Sequence, residues 1–291
     1  MKKTGILGVP WLFNQARRGT LLAPFAIRYA GMDEFLARLD IHVNNDQNLP
    51  FFTNLEEEAI LINKNLEAIT KKIVELKQIV CEMLEKEGVP IILGGEQFIS
   101  LGVIAAALVK APKAGVVWLN AELDLGNEHY SERLSESVLE VALGRGTEIL
   151  TQVMDGHFLD PGNLAIIGTR RCSKTSKAHI DNLKINHYEM QTIDRKGFQK
   201  VTDELMEWIK IKKQPIHFML AVNVIDPEFA PGTDIISVGG LYWREIRHLL
   251  KKLADSHAVA SITITGLNPL KDEKNKTARL IATLLEEYFT G

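Results

Sequence analysis

Short apolar runs alternate with longer stretches of helical periodicity along the whole chain. The runs at 4–7, 41–44, 90–93, 116–119, 164–167, 185–188, 216–222 and 258–265 are β-rich and predict strands. Several are apolar without alternation, the pattern of strands buried on both faces of a parallel sheet. Between them, residues 55–87 place Ile62, Leu66, Ile69, Ile73, Leu76, Val80 and Leu84 on one stripe, with Gly88 closing a long amphipathic helix. Residues 276–289 repeat the pattern with Leu280, Leu284, Leu285 and Tyr288. The alternation predicts an α/β three-layer open sheet of about eight mostly parallel strands with helices on both faces. In such sheets ligands bind beyond the C-terminal ends of the strands, where the strand order reverses.

Composition narrows the picture. The 291 residues are 46% hydrophobic, no Pro/Gly/Ser-rich linker divides them, and a single domain over 1–291 is expected. The net charge of −3 is spread evenly, which argues against nucleic acid or an anionic membrane as partner. The densest basic run, Lys210-Ile211-Lys212-Lys213, falls where a helix should end and suits a solvated last turn. No apolar stretch approaches the ~20 residues of a spanning helix, and Gly5 to Phe13 is too short and too broken by Pro10 for a signal peptide. Cys81 and Cys172 lack metal or redox spacing, so a cytoplasmic protein with two reduced thiols is expected.

Three segments end predicted strands: Leu93-Gly94-Gly95-Glu96-Gln97, Leu119-Asn120-Ala121-Glu122-Leu123-Asp124 and Ala221-Val222-Asn223-Val224-Ile225-Asp226-Pro227. On a strand, Asn120, Glu122 and Asp124 would share one face. Glu96 stands where an acidic side chain can accept helix N-terminal amides. Together the segments resemble the Gly-Gly-Asp-His, Asp-Ala-His-x-Asp and Asp-x-Asp-x-x-Asp-Pro motifs of the arginase/agmatinase (ureohydrolase) family. The resemblance spans nearly the whole chain, through Gln15-Ala16-Arg17-Arg18-Gly19, the loop from Asp226 to Thr233, and Asn268-Pro269-Leu270, and is closest to bacterial arginase.

That resemblance implies two manganese ions activating a water for attack on a guanidinium carbon. The family's metal positions fall here on Gln97, Asn120, Glu122, Asp124, Ala221 and Asn223, of which only Asp124 keeps the family's residue. The catalytic glutamate falls on Gly266, the proton-shuttling histidine nearest Ser135 or Ser137, and the acid that grips the substrate amine on about Ser173. Lowering the pKa of water from ~15.7 to ~7 is worth roughly 12 kcal/mol, which no residue left at these positions replaces. The expectation is therefore a catalytically inactive family member, a pseudoenzyme acting as a binding, regulatory or assembly subunit. No cofactor and no metal are expected, and no catalytic residue is assigned. The Glu122 and Asp124 carboxylates are expected to bond neighbouring amides and backbone. The alternative is a divergent hydrolase of C–N bonds in guanidino or amidino compounds, its oxygen donors suiting one Mg²⁺ or Ca²⁺. The family implies a homo-oligomer, trimer or hexamer. An active arginase-like relative and a small cationic ligand are further candidate partners.

Overall fold

The computed structural model describes residues 3–13, 15–50, 65–126 and 134–291. Its centre is an eight-stranded sheet in the order β2-β1-β3-β10-β9-β4-β6-β8. The strands are β1 (Lys3–Val9), β2 (His42–Asn48), β3 (Ile91–Gly94), β4 (Gly115–Leu119), β6 (Leu164–Ile167), β8 (Asn186–Tyr188), β9 (Ile216–Ala221) and β10 (Val259–Thr265). Every pairing is parallel. Two short strands, β5 (Glu122–Leu123) and β7 (Arg171–Cys172), form a separate parallel ladder.

The unalternating apolar runs have a simple cause. Val117 and Leu119 of β4, and Phe218 and Leu220 of β9, face a core closed by helices Phe198–Lys212, Trp243–Ser256 and Lys276–Thr290. Val116, Trp118 and Met219 face a second core, closed by Leu66–Lys86, Ser100–Lys110 and Leu134–Ala142. Each strand therefore needs apolar residues at both parities. The edge strand β2 is different. It pairs only with β1, and its sequence HVNNDQN stays largely exposed, so the apolar signal stopped short of its end.

Two local expectations change. The long helix is described over Leu66–Lys86, capped by Asn65, whose side chain accepts the Ala68 N–H at 3.1 Å. Ile62 and the predicted start lie outside the described residues. Gly88 is not a left-handed cap: the helix ends on Glu87 in extended backbone, Gly88 has no positive φ, and a Cβ on it would stand 2.1 Å from the Lys3 carbonyl oxygen. Its role is to let the chain pass close to β1. The basic run behaves as expected: Phe198–Lys212 carries Lys210 and Lys212 in its last turn and ends on Lys213 at φ +52°. Among the described residues no helix is long and apolar enough to cross a membrane.

Candidate functional site at the strand ends

The strands β3, β10, β9 and β4 are consecutive in the sheet and parallel, so their C-terminal ends emerge side by side. This brings the three motif segments and Gly266 together, although more than a hundred residues separate some of them. The Gly266 N–H donates to Gly95 O at 2.9 Å, tying the loop after β10 to the one after β3. Gly266 has φ +81°, and a Cβ on it would lie 4.0 Å from Gln97 Nε2, so this position faces the centre. Gly95 is pressed against the Trp11 carbonyl, where a Cβ would meet oxygen at 2.8 Å.

The chain leaves β4 at Leu119, so Asn120 is not in a strand and Glu122 begins β5 instead. The expectation of one continuous strand face is corrected, yet Gln97, Asn120, Glu122 and Asp124 still line one cavity of ≈ 20 Å³, with Arg17 and Trp118 beside them. Amide contacts interlock the walls. Asn120 Nδ2 donates to Gln97 Oε1 at 3.0 Å, and Asn120 Oδ1 accepts the Glu122 N–H at 3.2 Å. Asn223, in the turn Val222–Val224 after β9, accepts the Ala121 N–H through Oδ1 at 3.3 Å. Its Nδ2 is buried with no partner among the described residues. Ala221 ends β9, fully buried.

The two carboxylates have different partners. Among the described residues Glu122 bonds no amide through its side chain; Oε1 pairs with Arg171 Nη1 at 2.9 Å, across the β5–β7 ladder where the two residues are in register. Asp124 Oδ1 accepts from Ser176 Oγ at 3.3 Å. Ser173 is the N-cap of helix Lys174–Leu183; its hydroxyl accepts the Ser176 N–H at 3.0 Å and contacts Ser176 Oγ at 2.8 Å. It therefore reaches Asp124 through Ser176. Ser137 is buried and donates its hydroxyl to the Leu134 carbonyl at 2.8 Å. The side chain of Ser135 lies outside the described residues. Glu96 stands at the N-cap of the turn Gln97–Ile99 without a side-chain cap bond to it; Oε1 accepts the Phe13 N–H at 3.2 Å and pins the N-terminal loop.

Sequence reasoning did not assign Arg17, Ser176, Arg170 or Arg171. Arg170 is a brace: it donates to Val224 O at 2.9 Å, to Asn223 O at 2.6 Å and to Ser237 O at 2.9 Å, joining the third motif to the loop before Gly239. Burial lowers its pKa, with Asp226 and Glu122 acting in the opposite sense. Asp226 fastens the same loop, accepting N–H groups of Glu228, Gly239 and Gly240 at 3.0, 2.8 and 2.9 Å. Burial on its own would raise the Asp226 pKa, but these bonds and the Arg170 charge outweigh it and leave a net lowering. Only the strand register of β5 and β7, invisible in two-residue segments, sets Arg171 opposite Glu122.

The comparisons with known proteins bear on this centre. The model of the Arginase family matches residues 2–290. The chain belongs to this family. The arginase of Bacillus caldovelox is 30% identical over 295 residues, covering 99% of this chain and 98% of that one. The arginase of Bacillus subtilis is 31% identical over 292 residues, covering 98% and 97%. A crystal structure of arginase from Bacillus subtilis superposes with TM-score 0.87 at 29% identity, covering 100% of this chain and 99% of that one. Bacterial arginase is the branch the motifs pointed to.

These relatives overturn the expectation of an inactive pseudoenzyme acting as a binding, regulatory or assembly subunit. Full-length neighbours at 30% identity are arginases, which backs the hydrolase alternative. The expectation of no cofactor and a lost metal site is corrected with it, because the family works with metal. The physical reason lies in the donors. Hard cations accept amide as well as carboxylate oxygens, so a substituted ligand position does not by itself show that metal chemistry is lost. The family's manganese pair is nevertheless a poor fit to the residues present. Among the described residues no three His, Cys, Asp or Glu side chains converge as a metal group. Ala221 offers no donor, and the oxygens of Gln97, Asn120 and Asn223 each accept an N–H. A cavity of ≈ 20 Å³ holds one water-sized occupant.

Proposed function

We propose that this chain is a divergent ureohydrolase that cleaves a C–N bond in a guanidino or amidino compound, arginase- or agmatinase-like, around an altered centre. The observation that carries the reading is kinship with bacterial arginases over 99% of the chain, at 30% identity. The geometry supports it by keeping the motif segments together at the C-terminal ends of four neighbouring central strands. In the reaction, water adds to the guanidinium or amidinium carbon and the amine departs. The chain's own contribution is a pair of carboxylates, Glu122 and Asp124, suited to a planar cation, beside a braced set of amides from Gln97, Asn120 and Asn223. The oxygen donors admit one hard divalent cation, Mg²⁺ or Ca²⁺, in place of a manganese pair. We read residues 1–291 as one ureohydrolase-like domain that acts in the cytoplasm as a homo-oligomer, a trimer or hexamer, which sedimentation would measure.

The test is urea release from arginine and from agmatine, with Mn²⁺, Mg²⁺ or Ca²⁺ supplied separately. Cation-dependent release that disappears in Asp124→Ala supports the reading. Release no greater than background with every cation, from protein shown to be folded by near-ultraviolet dichroism, would sink it.

A further inference from the structure

Two arginines adjacent in sequence behave in opposite ways. Arg170 is locked by donations to three backbone carbonyls and to Ser237 Oγ. Arg171 is 64% exposed, and among the described residues its one ion pair is with Glu122, whose side chain is 22% exposed. The partnership is built into the backbone: Arg170 and Arg171 N–H groups both donate to the Ala121 carbonyl, at 2.8 and 3.0 Å, and β5 and β7 set Glu122 directly opposite Arg171. A guanidinium supplied by the chain therefore rests on a carboxylate that lines the central cavity.

We propose that Arg171 is a tethered competitor for the cation-binding face of Glu122, which any cationic ligand must displace, and that the carboxylate so released prefers a planar guanidinium or amidinium to an ammonium group. The inference rests on the guanidino/amidino reading of the site and names what discriminates within it. The Arg171 contact runs from Nη1 to Oε1, and an exposed pair of this kind is weak enough to displace. An incoming amidinium can offer two parallel N–H donors to the carboxylate, a stronger, charge-assisted arrangement. An ammonium group offers a point contact and gains little by expelling a guanidinium. Once displaced, Arg171 moves into solvent at small cost, because most of its side chain is already there.

The experiment is calorimetric titration of the full-length protein with agmatine and with cadaverine, which carries an ammonium where agmatine carries its guanidinium. Wild type is expected to bind agmatine at least about tenfold tighter than cadaverine, the scale of one charge-assisted bond. Arg171→Ala should bind agmatine about threefold to fivefold tighter, the range of an exposed ion pair. It should gain by a similar factor for cadaverine, because the same ion pair is displaced by both, so that selectivity is kept. Glu122→Gln should lose agmatine binding. Should Arg171→Ala not fold, Arg171→Lys keeps the charge without the planar fork and should fall between wild type and the expected Ala value for agmatine. Equal or weaker agmatine binding in both Arg171 variants, no selectivity in wild type, or no binding of either probe to wild type and variants would each overturn the proposal. Because binding is read directly, bound agmatine that releases no urea would count against the hydrolase reading and leave the role of Arg171 standing.

Discussion

Asn120 is the joint between two of the motif segments, and its truncation gives the sharpest test of the amide-braced centre. Asn120→Ala removes the bond to Gln97 Oε1 at 3.0 Å and the acceptor of the Glu122 N–H at 3.2 Å. Asn120 and Gln97 are 8% and 7% exposed, so Gln97 Oε1 would lose its partner in a nearly dry setting. Each bond contributes about 1 kcal/mol net, and a buried polar atom left without a partner costs about 1–3 kcal/mol. Glu122 lines the cavity, and water entering there in the variant recovers part of the loss at its N–H. The expected destabilisation is roughly 2–3 kcal/mol, or about 4–6 °C in midpoint at ~2 °C per kcal/mol for a large single domain. Urea unfolding followed by dichroism should show a lower midpoint with an unchanged slope. A cycle with Gln97→Ala should return a coupling of about 0.5–1.5 kcal/mol. If the two substitutions add without coupling, or Asn120→Ala costs less than ~0.5 kcal/mol, the bond does not brace the strand ends and the argument fails.

Two further predictions concern pH. The folded pKa of Asp226 is lowered, so its stabilisation is present above the unfolded value of ~3.9 and is lost as pH falls through the lower folded value. Asp226→Asn should thus be less stable than wild type near neutrality, with the gap closing below about pH 4; a gap independent of pH would show that the charge is not what holds the loop. His217 is fully buried against Ser261 Oγ at 2.7 Å, and burial pushes its pKa down to about 4. The depressed value means that its stabilisation is full above the ordinary ~6.5 and is withdrawn as pH drops toward about 4, a loss of roughly 3 kcal/mol at ~1.36 per unit. His217→Gln should flatten the stability profile between those two values in urea titrations at stepped pH, and an unaltered slope would refute the assignment.

The pattern of apolar positions determined the architecture. Strands such as β4 and β9 carry apolar residues at both parities because both of their faces are roofed by helices, and that requirement is written locally in GVVWL and IHFMLA. Parallel alternation then placed the site beyond the strand ends before any motif was weighed, and the motifs named the family. Tertiary structure decided what those residues do to one another. Gln97, Asn120, Asn223 and Gly266 come from four loops, and which amide faces which depends on the order β3-β10-β9-β4, which no local periodicity encodes. Glu122 looked like a carboxylate among amides, but a two-residue ladder pairs it with Arg171. Gly88 looked like a helix cap, but the approach of Lys3 makes it a spacer. The weight placed on lost ligands was corrected by full-length kinship, since a substituted donor shows that a coordination sphere has changed while the chemistry it performs is set by all the groups that the fold brings to one point.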